Sequence, residues 1–421
     1  MNGLQLPHIL TDIPGPCSQA QVDILAQHEC PAITARRARR AEALGQSDTD
    51  PIVWKAALGA NVMDVDNNLF VDLTAGFGVA GAGHRHPMVV EAAASQSSQL
   101  IHAMGDAFPD PKRIELLQRL SLLTGYPRSI LGCSGSDAID AAVKTAVMAT
   151  GRHQIIAFEA GYHGLAFGSL PATHYKAGAF RGPFQKLLGQ HVCHLPYGQS
   201  VDAQILSQSA AVLVEPIQGR GGIRVPPDGW LAGLIRDAHD NGCMVIFDEI
   251  YTGFGRTGTP FAFQDDSLEG ERPDLVCVGK ALGGGFPISA CLGTAEAMDA
   301  WGGSKGEAIH TQTFLGNPLG CAMAIASLNA LETVWKKLKP TIAHTHSELQ
   351  RHGIKYQGRG MLLGLQVPDP LGLCRQLLKS GYIALPAGIN AEVLAFTPPL
   401  CITKNQITAS IQCSADLCNP T

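Results

Sequence analysis

The sequence predicts an α/β protein in which a mainly parallel central sheet is covered by helices, with an N-terminal segment before it and a smaller α+β C-terminal domain after it. Three observations predict this. From about residue 112 to 320, helical stretches alternate with short β-branched runs, the pattern of a parallel sheet buried on both faces. Two of those runs, Cys243-Met244-Val245-Ile246-Phe247 and Leu275-Val276-Cys277-Val278, are apolar throughout and lead into the charged residues Asp248 and Lys280. Beyond about residue 321, Ala-rich helical sequence gives way to Gly358-Arg359-Gly360-Met361-Leu362-Leu363-Gly364-Leu365, a predicted strand of a smaller domain. A chain of 421 residues can bury a large core and favours two or three structural units. We draw these as an N-terminal segment over 1–70, a large domain over 71–320 and a small domain over 321–421.

Taken in order, residues 1 to about 70 are rich in Pro, Gln and Arg, and the stretch from Ala60 to Asp72 reads as two strands around an Asp/Asn turn. Within this segment Arg36, Arg37, Arg39 and Arg40 form a basic run whose Ala-rich setting and spacing fit a solvated helix face. Ser134-Gly135-Ser136 precedes a helix beginning Asp137-Ala138-Ile139-Asp140, with Ser136 at the N-cap position. The strand ending in Asp248 and Glu249 is followed by the turn-rich Tyr251-Thr252-Gly253-Phe254-Gly255-Arg256-Thr257-Gly258, and Lys280 by Gly283-Gly284-Gly285. There is no internal repeat and no low-complexity segment.

Composition narrows the function. A net charge of −5 argues against nucleic-acid or anionic-membrane partners, whose binding depends on basic surface. Charged residues make up 16% of the chain against roughly 25% in ordinary soluble proteins, which fits surface hidden in an oligomer. The twelve cysteines show neither Cys-x-x-Cys nor zinc-type spacing, so no metal is expected and they read as small buried hydrophobes in a reducing compartment. Met1 to Leu10 lacks a basic stretch followed by an apolar one, and no window of about 18 apolar residues occurs. A soluble cytoplasmic protein is expected.

In an open α/β sheet, ligands bind outside the carboxyl ends of the strands, so Asp248 and Lys280 stand where chemistry is expected. The alternative is that both are solvated loop charges. The flanking sequences decide for chemistry. Asp248 to Gly258 resembles the Asp-Glu-Val-Gln-Thr-Gly-Phe-Gly-Arg-Thr-Gly signature of the class III pyridoxal-phosphate aminotransferases of fold type I, the family of ornithine, acetylornithine and 4-aminobutyrate aminotransferases. Leu275 to Ala290 resembles that family's Gly-Lys-Ala-Leu-Gly-Gly-Gly-Tyr-Pro block. The likeness extends through Asp64 to Pro87, Ser134 to Lys144, Tyr162-His163-Gly164, Glu215 to Gly222 and His310 to Leu319, most of the chain.

The resemblance implies pyridoxal 5'-phosphate as cofactor, with Lys280 as the Schiff-base lysine and proton shuttle and Asp248 keeping the cofactor's pyridine nitrogen protonated. It implies Ile250 on one face of the ring and Tyr162 on the other, although Tyr162 also reads as an ordinary half-buried tyrosine. Ser134, Gly135 and Ser136 would take the phosphate at a helix start, and His163, Glu215 and Tyr251 complete the cofactor contacts. Thr313 resembles the threonine that reaches the phosphate of the neighbouring subunit, which implies a homodimer with a shared active site. The implied partners are a small-molecule amino donor and a 2-oxo acid acceptor.

The sequence leaves the pattern on the substrate side. The family's Glu-Pro-Ile-Gln-x-Glu-Gly-Gly motif carries a second glutamate that pairs with an arginine near the C-terminus, and that arginine holds the substrate carboxylate. Here Arg220 stands at the glutamate position and Ala395 at the arginine position. A desolvated cation needs an anion, so Arg220 is a candidate anchor for a substrate carboxylate, phosphate or phosphonate. Pairing with Glu215 or Asp228, or pointing into solvent, is the alternative. Tyr251 replaces a glutamine, and Cys133 stands where relatives often have asparagine. These changes argue against transfer to 2-oxoglutarate through the usual carboxylate clamp. They also keep open an amino-acid racemase or epimerase, or an amino-phosphate or phosphonate lyase, beside the aminotransferase. A cofactor-binding regulatory or structural protein is a third reading, against which the pairing of Lys280 with Asp248 argues.

Overall fold

The computed structural model describes residues 1–31, 51–303 and 305–418. The arginine run at positions 36 to 40 lies outside them. Seven strands form the central sheet: β4 (Arg128–Gly132), β5 (Gln154–Phe158), β6 (Val192–Leu195), β7 (Ser209–Val214), β8 (Met244–Asp248), β9 (Leu275–Val278) and β10 (Ser289–Gly293). Their order is β4-β10-β9-β8-β7-β5-β6. All run parallel except β10, which is antiparallel to both of its neighbours.

Strand side chains alternate between two buried faces. Val212, Val245, Phe247, Val276 and Val278 enter one core, whereas Leu213, Ile246, Leu275 and Cys277 enter the other. This explains why the strands read as uninterrupted apolar runs. The second face is covered by α1 (Gly135–Thr150) through Ala138, Ile139, Ala141 and Ala142. The first is covered by α2 (Trp230–Asp240) and α3 (Pro318–Trp335) through Leu234, Ile235, Ala324 and Leu328.

The N-terminal strands β1 (Trp54–Leu58), β2 (Asn61–Asp64) and β3 (Leu69–Asp72) form a sheet completed by β13 (Tyr382–Ile383), which pairs in parallel with β3. The expected Asp/Asn turn joins β2 to β3: Asn67 adopts φ 68° and the Asn68 N–H donates to Asp64 Oδ1 at 2.8 Å. A third sheet takes the order β11 (Lys355–Arg359), β12 (Leu362–Gln366), β15 (Val393–Phe396), β14 (Leu385–Ala387). The single strand expected over Gly358 to Leu365 is therefore a hairpin. Gly360, at φ 60° and packed on the backbone of Thr257 and Gly258, turns the chain where a side chain would collide.

Cys243, Cys277, Cys291, Cys321 and Cys374 are buried as the sequence suggests, but Cys17 and Cys30 are exposed. Among the described residues no helix is long and apolar enough to cross a membrane.

Candidate active site

The parallel strands deliver their carboxyl ends to one edge of the sheet, and the residues singled out in the sequence follow those ends. Ser134 to Ser136 follow β4, Tyr162 and His163 follow β5, Glu215 follows β7, Asp248 ends β8 and Lys280 follows β9. Lys280, Asp248 and Glu215 thus come from three adjacent strands, about 5 Å apart per step.

Asp248 is buried, and both of its oxygens are engaged. His163 Nδ1 lies 2.8 Å from Oδ2, and the Ile250 N–H donates to Oδ1 at 3.1 Å. Burial alone would lower the His163 imidazolium, but the hydrogen bond and charge of Asp248, with Glu215 behind it, raise it on balance. Glu215 accepts from the Tyr162 N–H at 3.0 Å and the Gly219 N–H at 3.1 Å, tying the loop after β5 to the turn that carries Arg220. Burial pushes its carboxyl up to about 7, against the attraction of His163.

Lys280 itself adopts φ 44°, a left-handed conformation unusual for a lysine. Such strained residues cluster at functional sites, and Ala75 and Phe77 share the feature in the run that meets Tyr251 and Lys280 at Gly78. Burial pulls the Lys280 amine down to about 8, opposed by Asp248 and Glu215 and reinforced by Arg220 and Arg256. Its Nζ stands 4.1 Å from the centroid of the Tyr251 ring. The Tyr251 hydroxyl donates to Thr397 Oγ1 at 3.1 Å, so its hydrogen is committed to the C-terminal strand region rather than open to a ligand.

The helix start differs from the expectation in detail. Ser134, not Ser136, is the N-cap. Its hydroxyl accepts from the Asp137 N–H while Asp137 Oδ2 accepts from the N–H groups of Ser134 and Cys133, and this capping box starts the helix two residues earlier. Gly135 and Ser136 thereby become first-turn residues whose N–H groups have no carbonyl within the helix. Ile250 packs against this turn; a Cβ at Gly135 would come within 2.8 Å of its Cδ1.

Arg220 pairs with neither acid considered for it. Glu215 is occupied by backbone N–H groups, and Asp228 lies 4.0 Å from Arg359. The Arg220 guanidinium instead lies 4.6 Å from the Tyr162 ring centroid and 5.6 Å from that of Tyr175. Ala395 is buried in an apolar cluster with Ile217, Ile223, Leu362 and Val393, against which Tyr251 packs. Thr313 stands exposed on the turn before α3, next to Phe314, whose carbonyl lies 3.7 Å from Cys133 Sγ.

Three contributors escaped the sequence reading. Tyr175 lies under Arg220, Thr397 holds Tyr251, and the run Ala75-Gly76-Phe77-Gly78 takes positive φ throughout. Asp72 braces this run by accepting from the Thr74 and Gly76 N–H groups and by contact with His84 Nε2 at 2.8 Å. A side chain at Gly78 would run into Tyr251 and approach Lys280. The Gly-x-Gly after a strand was the available signal for this run; Tyr175 and Thr397 carried none.

Comparison with known proteins identifies the family. The profile of the family "Aminotransferase class-III" matches residues 44–416. An acetylornithine aminotransferase of Methanosarcina mazei is 33% identical over 86% of this chain and 90% of its own length. One of Mycobacterium leprae is 36% identical over 86% of this chain and 90% of its own length. Among solved structures, an ornithine aminotransferase of Toxoplasma gondii, whose active site holds PLP at partial occupancy, superposes with a TM-score of 0.80 and 27% identity, covering 95% of this chain and 97% of that one.

Proposed function

The chain belongs to the class-III aminotransferase family and is an aminotransferase of fold type I, and from that premise we propose that it carries pyridoxal 5'-phosphate on Lys280 and moves an amino group between an amino acid or amine and a 2-oxo acid. The observation that carries the reading is the convergence of Lys280, Asp248 and a capped helix start on one edge of the sheet.

The residues present fit the cofactor. A left-handed lysine beside a buried carboxylate, a first helical turn with open N–H groups, and the flanking Ile250 and Tyr162 suit an aldehyde, a ring nitrogen, a phosphate and the ring faces respectively. When bound, pyridoxal phosphate supplies an electron-withdrawing ring that accepts the electron pair released at the donor's α-carbon. The chain's own residues do the rest. Lys280 Nζ, with its proton affinity lowered to about 8, is poised both to attack and to carry a proton. Asp248, fixed by His163 and the Ile250 N–H, holds negative charge beneath the site, and a cation there keeps its proton. Glu215 and His163 act as positioning residues through Tyr162 and Asp248. Arg220 presents its charge to the acidic group of a substrate.

Thr313 is exposed, and near it Phe314 and Ile309 expose 61% and 54% of their surface. These support a homodimer in which Thr313 of one copy completes the phosphate site of the other. Buried thiols such as Cys277 and Cys291 suit a reducing cytoplasm.

Two measurements test the reading. Borohydride reduction of the loaded protein followed by peptide mass analysis should find the cofactor on Lys280 and nowhere else. Given an amino donor without acceptor, the enzyme should release oxo acid once per site and stop. Continued turnover of donor alone would identify a racemase or lyase instead.

A further inference from the structure

The charges that act on the Lys280 amine come from two acids, Asp248 and Glu215, and two cations, Arg220 and Arg256. Arg256 is not open to a ligand. It is 3% exposed, and its Nη1 donates to the carbonyls of Met361 and Pro398 at 3.1 and 2.6 Å. Arg220 is half-buried, forms no ion pair among the described residues, and rests against Tyr162, whose backbone is fixed by Glu215. An arginine stacked on an aromatic ring keeps its in-plane N–H groups directed outward for a carboxylate.

The remaining wall beside Lys280 Nζ has the opposite character. The Tyr251 ring lies between Gly78 and Gly219, its hydroxyl is turned to Thr397, and it packs on the cluster of Ile217, Ile223, Leu362, Val393 and Ala395. The charges that act on Tyr251 are those of Arg256, Arg220 and Asp72, and of these only Arg220 is half-exposed. A second carboxylate pressed against the ring would lose water without gaining a partner.

We infer that the pocket selects monoanionic substrates: an amino donor and an oxo acceptor that each give one carboxylate to Arg220 and lay an uncharged, mostly apolar remainder against the Tyr251 ring. The inference deepens the proposed function and rests on it. Because both half-reactions use one anchor, donor and acceptor carry their carboxylates in the same place. A 2-oxo monocarboxylate is then the better acceptor, and a 2-oxo dicarboxylate the poorer.

The test is calorimetric titration of the pyridoxal-phosphate-loaded enzyme with unreactive acids. Propionate, butyrate and valerate should bind with affinity rising about fourfold per methylene. Succinate and glutarate should bind at least about tenfold more weakly than the monocarboxylates of equal length. Arg220→Ala should weaken valerate at least about tenfold, while Arg220→Lys, which keeps the charge but not the planar stack, should retain part of the affinity. Glutarate binding as tightly as valerate would overturn the inference, and so would valerate binding unchanged in both variants. The wild-type series alone decides the charge preference, so a variant that folds poorly does not remove the test. If the protein transaminates but prefers dicarboxylates, this inference falls and the proposed function stands. If no cofactor is held on Lys280, both fall.

Discussion

The two sides of the site are built differently. On the side we assign to the cofactor, Ser134, Asp248 and Lys280 stand at or just beyond the ends of buried parallel strands, and their neighbours are fixed by a capping box and by short hydrogen bonds. On the side we assign to the substrate, Arg220, Tyr251 and Ala395 come from a turn, a loop and a strand of another sheet, joined by ring contacts and apolar packing. The first side is set by the sheet and changes little without breaking the fold; the second can be rebuilt residue by residue. On the proposed function, chemistry and selectivity fall to separate parts of the molecule.

Substitutions can break that separation. The largest effect is expected for Lys280→Ala, which should reduce the rate of amino-group removal from a donor by at least about 10³-fold with the circular dichroism spectrum unchanged. Asp248→Asn should come next, lowering kcat by about 10²-fold or more while retaining the protein's fold. A loss confined to KM would move Asp248 to the substrate side. Arg220→Ala should do the reverse of Asp248→Asn: KM for an acidic donor rises about tenfold or more, and cofactor affinity stays within about twofold.

Smaller effects sharpen the comparison further. Because burial holds the Lys280 amine at about 8, its neutral, nucleophilic form is gained as pH rises through that value. Stopped-flow capture of pyridoxal phosphate by the cofactor-free protein should therefore accelerate from pH 7 to 9 and then level off; a flat profile would place the amine elsewhere. Glu249 adjoins Asp248 but faces away from the site, accepting from the Ala262 and Phe263 N–H groups, both at 2.8 Å, and from Thr252 Oγ1 at 2.9 Å. Burial raises its carboxyl from 4.5 to about 7. Its stabilising contribution is thus present below about 4.5 and is lost as pH rises through about 7. Glu249→Gln, which mimics the protonated acid, should flatten the fall in Tm between pH 5 and 8 with kcat little changed.

The same division governs what could be read in the sequence. Strand ends announce themselves, because an apolar run followed by a charged residue or a glycine turn is a local pattern, and this located Asp248, Lys280 and the Ser134 helix start. The cap was misplaced by two residues because Asp137 reaches backward to the Ser134 and Cys133 N–H groups, a contact that the spacing of serines does not reveal. The hairpin at Gly360 was read as one strand because what demands the glycine there is the distant backbone of Thr257. On the substrate side the altered residues were visible at Arg220, Tyr251 and Ala395, but their partners were not. Tyr175 and Thr397 reach the site only through contacts between residues far apart in the chain, whereas Asp72 acts on its own turn through the N–H groups of Thr74 and Gly76.

One strand runs against its neighbours, and this sets a length. Because β10 lies reversed between β4 and β9, its carboxyl end points away from the site, and at this edge it contributes Ser289, whose hydroxyl donates to the Ser134 carbonyl at 2.6 Å. Two inter-strand steps, about 10 Å, therefore separate the helix start from the lysine. On the proposed function that interval works as a molecular calliper: a free phosphate or a simple aldehyde meets one jaw at a time, and only a compound that carries an aldehyde and a phosphate arm on one rigid ring closes on both.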